Sequence, residues 1–162
     1  MISVIYESPV GPLTLISDGA ALAHLEFENP RYAYESAPAG KDKILDQARR
    51  ELDVYFKGKL TRFAVPVAPR GTEFQRKCWA ALQQIPYGAT RSYGQQADLI
   101  GSPKAMRAVG LANGRNPISI IIPCHRVIGA NGSLTGYAGG MARKQFLLDL
   151  EQGAGQLALK AS

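Results

Sequence analysis

The sequence predicts an α+β chain in two parts: a small α/β unit over residues 1–68, then a mainly helical unit over 72–155 followed by a short tail, 156–162. Three observations carry this. The first 27 residues alternate apolar and polar side chains between Pro/Gly breaks, as strands do. A Pro/Gly-rich stretch near 66–71 reads as a linker. Beyond it, apolar residues recur at helical spacing behind good N-cap residues, Thr72 and Ser92. Hydrophobic residues at 46% and charged residues at 20% are ordinary for a globular chain long enough to bury a core.

In order along the chain, "ISVIYESPVGPLTLISDGAALAHLEFE" predicts three short strands, the last two joined at Asp18-Gly19. Asp42 opens a helix to about Phe56 with Ile44, Leu45, Ala48, Leu52 and Tyr55 on one face and Gly58 as its stop. "RFAVPVAPRG" predicts a further strand entering the linker. Thr72 with Gln75 forms a capping-box pattern for a helix to about Gln84, aligning Phe74, Cys78, Leu82 and Ile85. Ser92 caps a helix through Ile100, Gly101-Ser102 forms a turn, and Pro103 stands at the first position of a helix ending near Asn113-Gly114. Two short helices around a glycine turn make a helix-turn-helix candidate. "ISIII" (118–122) has the composition of a buried strand, and Asn131-Gly132 signals a hairpin. Gly139-Gly140 precedes a last helix to about Glu151, with Phe146, Leu147 and Leu150 facing inward.

The net charge of +6 is unevenly placed. Residues 1–70 hold nine Lys/Arg and nine Asp/Glu, whereas residues 71–162 hold ten against four. A basic second half suits a polyanionic partner, nucleic acid first, as well as plain solubility. No apolar run approaches the roughly 20 residues of a membrane span, so no membrane partner is expected. The N-terminus lacks the basic, apolar and small-residue zones of a signal peptide, so a cytoplasmic location is expected, with Cys78 and Cys124 kept as thiols.

Cys124 stands out within "IIPCHRVIGANG". It follows a proline that ends an apolar run and precedes His125 and Arg126, groups able to favour the reactive thiolate. Cys78, four residues from both Phe74 and Leu82, reads as helix packing. Zinc binding is disfavoured because Cys78, Cys124, His24 and His125 lie on separate elements with no Cys-x-x-Cys pair. A redox role lacks a nearby resolving cysteine. A cysteine hydrolase stays open as a rival, weakened by His24 lying mid-strand in the first half. A sequence-reading transcription regulator is a further rival, weakened by a short, Ala-rich second helix.

These residues also carry a resemblance. "NPISIIIPCHRVIGANGSLTGYAGG" with "RKQFLLDLE" is similar to the active-site region of the O6-alkylguanine-DNA alkyltransferases, also called methylated-DNA–protein-cysteine methyltransferases. "RGTEFQRKCWAALQQIPYGATRSYG" and "KAMRAVGLANGRNP" extend the match back to residue 70, and "SPVGPLTL" resembles bacterial members. The resemblance implies a ribonuclease H-like N-terminal domain and a winged-helix-like second domain with its helix-turn-helix in the DNA minor groove. It implies irreversible, once-only transfer of an alkyl group from guanine O6, or thymine O4, in duplex DNA to the protein's own cysteine, with the base flipped out of the stack.

Carried over residue by residue, the resemblance makes Cys124 the acceptor and has Glu151 orient His125, which activates the thiol through a water. Lys144 would support the thiolate, and Tyr93 would donate to guanine N3. Arg107 would fill the gap left by the flipped base, with Ala105, Ala108, Gly110 and Ser92 close to the DNA backbone. Val127, Ala138, Tyr137, Ser119 and Met106 would line the pocket, with main-chain groups of Cys124, Val127 and Ala138 reading the base, and Asn116 would be a structural hinge. Ser119 stands where some members have proline, which implies a roomier pocket. The zinc ligands of some eukaryotic first domains are missing, so neither metal nor cofactor is expected, and the protein is expected to act as a monomer. An alkyltransferase-like protein that only flags the lesion is disfavoured, since such proteins replace the cysteine.

Overall fold

The computed structural model describes the backbone of residues 1–161 and the side chains of residues 1–153. Its contacts divide into two units: residues 1–70 with 117–121, and residues 71–116 with those from 122 onward.

In the first unit, β1 (Ile2–Ser8), β2 (Gly11–Ser17) and β3 (Leu22–Phe27) form an antiparallel meander in the order β1-β2-β3. Alternation puts Leu13, Leu15, Leu25 and Phe27 on one buried face, and α1 (Lys43–Phe56) packs on the sheet with Leu45, Ala48, Leu52 and Tyr55 buried. Each such leucine contributes about 1.5–3 kcal/mol relative to exposure. The expected caps of α1 are present. The Asp42 side chain accepts from the Leu45 amide. At the other end Gly58, at φ +74°, closes a Schellman motif through Gly58 N–H to the Tyr55 carbonyl and Lys59 N–H to the Val54 carbonyl.

Two strand expectations fail here. "RFAVPVAPRG" makes only a single bridge, with Leu22 bonded to the Pro66 carbonyl and Ala68 bonded back to Leu22. Pro66 and Pro69 have no N–H with which to extend a ladder. "ISIII" is not a strand either. After the bridge of Ile118 to Leu25, the Ile121 amide donates to the Ser119 carbonyl at 2.8 Å around Ile120 at φ +71°. That is a γ-turn of the rare positive-φ kind, held by a β-branched residue in a conformation such residues avoid. Ile120 keeps it with its side chain 1% exposed. Residues 117–121 thereby join the first unit and interrupt the expected 72–155 block.

The second unit holds α2 (Glu73–Leu82), α3 (Tyr93–Leu99), α4 (Met106–Gly114) and α5 (Met141–Ala161), with a two-residue parallel pair of β4 (Arg91–Ser92) and β5 (Val127–Ile128). Thr72/Gln75 and Ser92/Gln95 both form complete capping boxes. Gly101, at φ +76°, ends α3 in a second Schellman motif, with Gly101 N–H to Asp98 and Ser102 N–H to Ala97. The next helix starts later than expected, at Met106 rather than Pro103, because the Ala105 amide turns back to the Ser102 carbonyl. Trp79, 1% exposed, donates from Nε1 to the Ala112 carbonyl, and Gln96 and Asn113 exchange two amide hydrogen bonds, so α2, α3 and α4 are tied together by polar as well as apolar contacts.

The Asn131-Gly132 turn forms, with the Gly129 amide bonded to the Ser133 carbonyl, but no hairpin follows. β5 pairs with β4 instead. α5 continues past Glu151, the expected end, to Ala161. Its buried face is Lys144, Leu147, Leu148 and Glu151, while Phe146 is 39% exposed and Leu150 is half-buried.

A β-carbon on Gly71 would come within 2.5 Å of the Trp79 ring and 2.6 Å of Gln75 Oε1. Gly71→Ala should therefore cost about 1–3 kcal/mol, read as a melting temperature lowered by several degrees. An unchanged melting temperature would show that the start of α2 yields freely.

Candidate active site

The approach to Cys124 is two consecutive tight turns. The Cys124 amide donates to the Ile122 carbonyl at 2.9 Å around Pro123 at φ −84°, ψ 66°, an inverse γ-turn. Residues 124–126 then form one 3-10 turn, with the Arg126 amide on the Pro123 carbonyl and the Val127 amide on the Cys124 carbonyl. Proline presets the φ that the first turn needs. Asn116, buried, donates Nδ2 to the Ile122 carbonyl at 2.7 Å and to Cys124 Sγ at 3.2 Å. It thus holds both the turn and the sulphur.

Beneath this turn lies a buried carboxylate. Glu151, on the core face of α5 and 2% exposed, accepts from Arg126 Nε at 2.8 Å and Nη2 at 3.1 Å, and lies 2.7 Å from His125 Nε2. The third Arg126 arm, Nη1, donates to the Ile85 carbonyl at 2.7 Å. Burial works to raise the Glu151 pKa, but the hydrogen bonds from His125 and Arg126 and the Arg126 charge outweigh it and bring it from an ordinary 4.5 down to about 2. Glu151 is therefore ionised at neutral pH. Burial pushes His125 down, against the pull of Glu151 and with help from the Arg126 and Lys144 charges, so the ring rests neutral. A neutral ring donating Nε2–H to Glu151 leaves Nδ1 as a lone pair, and buried Nδ1 has no hydrogen-bond partner among the described residues.

The Cys124 thiol is pushed up by burial. Asn116, the Lys144 ammonium, a backbone N–H and the Tyr137 hydroxyl act in the opposite direction. The net direction is upward, so the sulphur rests as a thiol amid groups that would receive a thiolate. Lys144, completely buried, spends Nζ on the carbonyls of Val127 at 2.6 Å and Thr135 at 2.8 Å. Burial lowers its pKa and Cys124 raises it.

Cys124, His125, Glu151, Lys144, Tyr137 and Asn116, all singled out in the sequence, lie together here. Val127 joins through its carbonyl, which already carries Lys144. The sequence offered Arg126 only as a cation beside the thiol, and it did not show that two of its hydrogen bonds set Glu151 or that Tyr137 addresses the sulphur. The adjacency of Arg126 to His125 was a signal for the first; nothing local signals the second. Tyr93 starts α3 behind its Ser92 cap, and its ring lies against Gly110, where an added β-carbon would sit 3.7 Å from Tyr93 Cε1. Arg107 and Ala108 are exposed on α4, while Ala105 is its N-cap and lies outside the helix. Met106, expected in the pocket, is 52% exposed, with its sulphur beside Gly94. Ala138 is half-buried. Ser119 is buried in the first unit, its amide bonded to Leu25. Cys78 is fully buried, as packing. Among the described residues no cluster of His, Cys, Asp and Glu is placed to hold a metal ion, and no helix is long and apolar enough to cross a membrane.

Two family models match end to end. Residues 1–69 match the ribonuclease-like domain of 6-O-methylguanine DNA methyltransferase and residues 73–153 match its DNA-binding domain. The chain belongs to the 6-O-methylguanine DNA methyltransferase family. Its relatives include the methylated-DNA–protein-cysteine methyltransferase of Methanosarcina acetivorans, 52% identical over 153 residues covering 93% of this chain and 98% of the relative. The protein of the same name from Mycobacterium bovis is 53% identical over 151 residues, covering 90% and 89%. The crystal structure of Mycobacterium tuberculosis OGT in complex with DNA superposes with a TM-score of 0.90 at 50% identity, covering 95% of this chain and 94% of that one. The α+β architecture of this family member therefore has solved counterparts over nearly its whole length.

Because the Glu151 pKa is depressed in the folded state, its stabilisation is complete above the unfolded value and is lost as pH falls from 4.5 towards about 2. Glu151→Gln, which leaves Arg126 buried without its partner, should cost on the order of 3 kcal/mol at neutral pH. The gap in melting temperature between wild type and variant should close across that acid range. A gap independent of pH would mean that the carboxylate is not held by its charge.

Proposed function

We propose that this protein repairs alkylated DNA by direct reversal, taking the alkyl group from guanine O6 onto Cys124. The observation that supports it most is a buried cysteine held by Asn116 and followed directly by a buried histidine whose Nε2 lies 2.7 Å from the Glu151 carboxylate. The sulphur forms a bond to the alkyl carbon as the O6–carbon bond breaks, and guanine keeps the electron pair. Formally, the thiol proton ends on guanine, so no outside reactant is consumed. His125 Nδ1 takes that proton through a bridging water while Glu151 steadies the imidazolium, the logic of a hydrolase triad put to a single use. Asn116, Lys144 and Tyr137 lower the cost of the thiolate while it exists. The product thioether has no activated leaving group, so each molecule acts once.

Arg107, exposed on α4, fills the stack when the base is flipped from the minor-groove side, and Tyr93 donates to N3 of the departing guanine, making it a better leaving group. Ser92, Ala105, Ala108 and Gly110 run close to the DNA backbone, and Val127, Tyr137 and Ala138 line the pocket. Thymine O4 is a second target of the same chemistry. The protein acts as a monomer on duplex DNA in the cytoplasm, and its basic second half supplies the phosphate attraction.

Incubation with duplex DNA carrying O6-methylguanine should add one methyl group per protein molecule by intact mass, located on Cys124 by peptide mapping and lost in Cys124→Ala. Wild-type protein without an adduct would overturn the proposal, and an adduct on Cys78 would overturn the assignment of the site. Arg107→Ala should slow repair in duplex at least tenfold more than it slows reaction with free O6-benzylguanine. Equal losses on both substrates would remove the base-flipping role.

A further inference from the structure

Thr135 is an exposed residue of the loop between β5 and α5, and it makes two hydrogen bonds with different halves of its structure. Its backbone carbonyl accepts Lys144 Nζ at 2.8 Å. Its side-chain hydroxyl lies 3.1 Å from the phenol oxygen of Tyr93, 42 positions away in sequence. The Tyr93 ring is meanwhile backed by Gly110 of α4. The ring edge thus runs beside Gly110, and the phenol oxygen has the Thr135 hydroxyl as its partner.

A phenol that must donate its proton to a substrate has only its lone pairs left for the protein. A hydroxyl is one of the few side-chain groups that can fill that need, being a donor that brings no charge and little bulk. Donation from Thr135 to the Tyr93 oxygen aligns the Tyr93 proton away from the loop, and a chain of two such bonds polarises in one direction. The same residue's carbonyl holds Lys144, so the loop position that supports the ammonium beside Cys124 also sets the phenol.

We propose that Thr135 is a positioning residue for Tyr93: its hydroxyl donates to the phenol oxygen and presents the phenol proton to the flipped base. This rests on the reading of Tyr93 as donor to the leaving guanine.

The test is a double-mutant cycle on the single-turnover methyl-transfer rate at saturating duplex. Thr135→Val removes the hydroxyl at nearly constant volume and keeps the carbonyl for Lys144, and Thr135→Ala removes it a second way. Each should lower the rate about three- to tenfold, the range of one hydrogen bond, and Thr135→Ser should restore it. Tyr93→Phe should lower the rate at least as much, and adding Thr135→Val to it should cost nothing further. A wild-type rate in both Thr135→Val and Thr135→Ala, or a full second loss on top of Tyr93→Phe, overturns the proposal while leaving Tyr93 in its role. A wild-type rate in Tyr93→Phe removes the donor reading itself and this inference with it.

Discussion

The Glu151 carboxylate, taken out of water at the base of the second unit, is the constraint on which the site depends. A buried anion is tolerable only when its lone pairs are filled, and here Arg126 and His125 fill them from adjacent positions of one 3-10 turn. Consecutive residues can face the same carboxylate because the chain is tightly turned at that point. The turn exists because Pro123 starts it and Asn116 holds the carbonyl before it. Cys124 is the first residue of that turn, so the demands of the buried charge also fix where the sulphur stands. Burial, with the Arg126 and Lys144 charges, keeps His125 from becoming a permanent imidazolium against the pull of Glu151.

The cysteine itself shows a balance of opposed effects. A nucleophile that rested as a thiolate would be open to oxidants and adventitious alkylating agents. Burial keeps Cys124 protonated, while Asn116, Lys144 and Tyr137 are already aimed at the charge it will carry. Such preorganised groups cost nothing to reorient when the proton leaves. A protein that acts once gains from a nucleophile that stays unspent until its base arrives.

The caps and periods of α1 to α3 were legible in the sequence because Asp42, Thr72, Ser92, Gly58 and Gly101 act within one or two turns of where they stand. "ISIII" misled because composition reports burial, which is real, and not backbone path, which the γ-turn at Ile120 changes. The inward face of α5 was misassigned for a related reason. Lys144 and Glu151 occupy core positions that apolar periodicity gives to Phe146 and Leu150. Functional polar groups thus hide a helix face from the pattern that would reveal it. Of the site, Cys124 and His125 were visible as neighbours, while Glu151, Lys144 and Tyr93 came from family resemblance. The contact of Tyr137 with the sulphur and that of Thr135 with Tyr93 are tertiary, and no spacing encodes them.

The central claim is that Cys124 rests as a thiol and is deprotonated by a neutral His125 held on Glu151. A carbon-NMR titration of Cβ-labelled cysteine, with Cys78 replaced by alanine to leave one signal, reads the protonation of the sulphur directly. The account predicts a midpoint above that of an ordinary cysteine, rising further in Asn116→Leu. A sulphur already ionised at neutral pH in the free protein would contradict it.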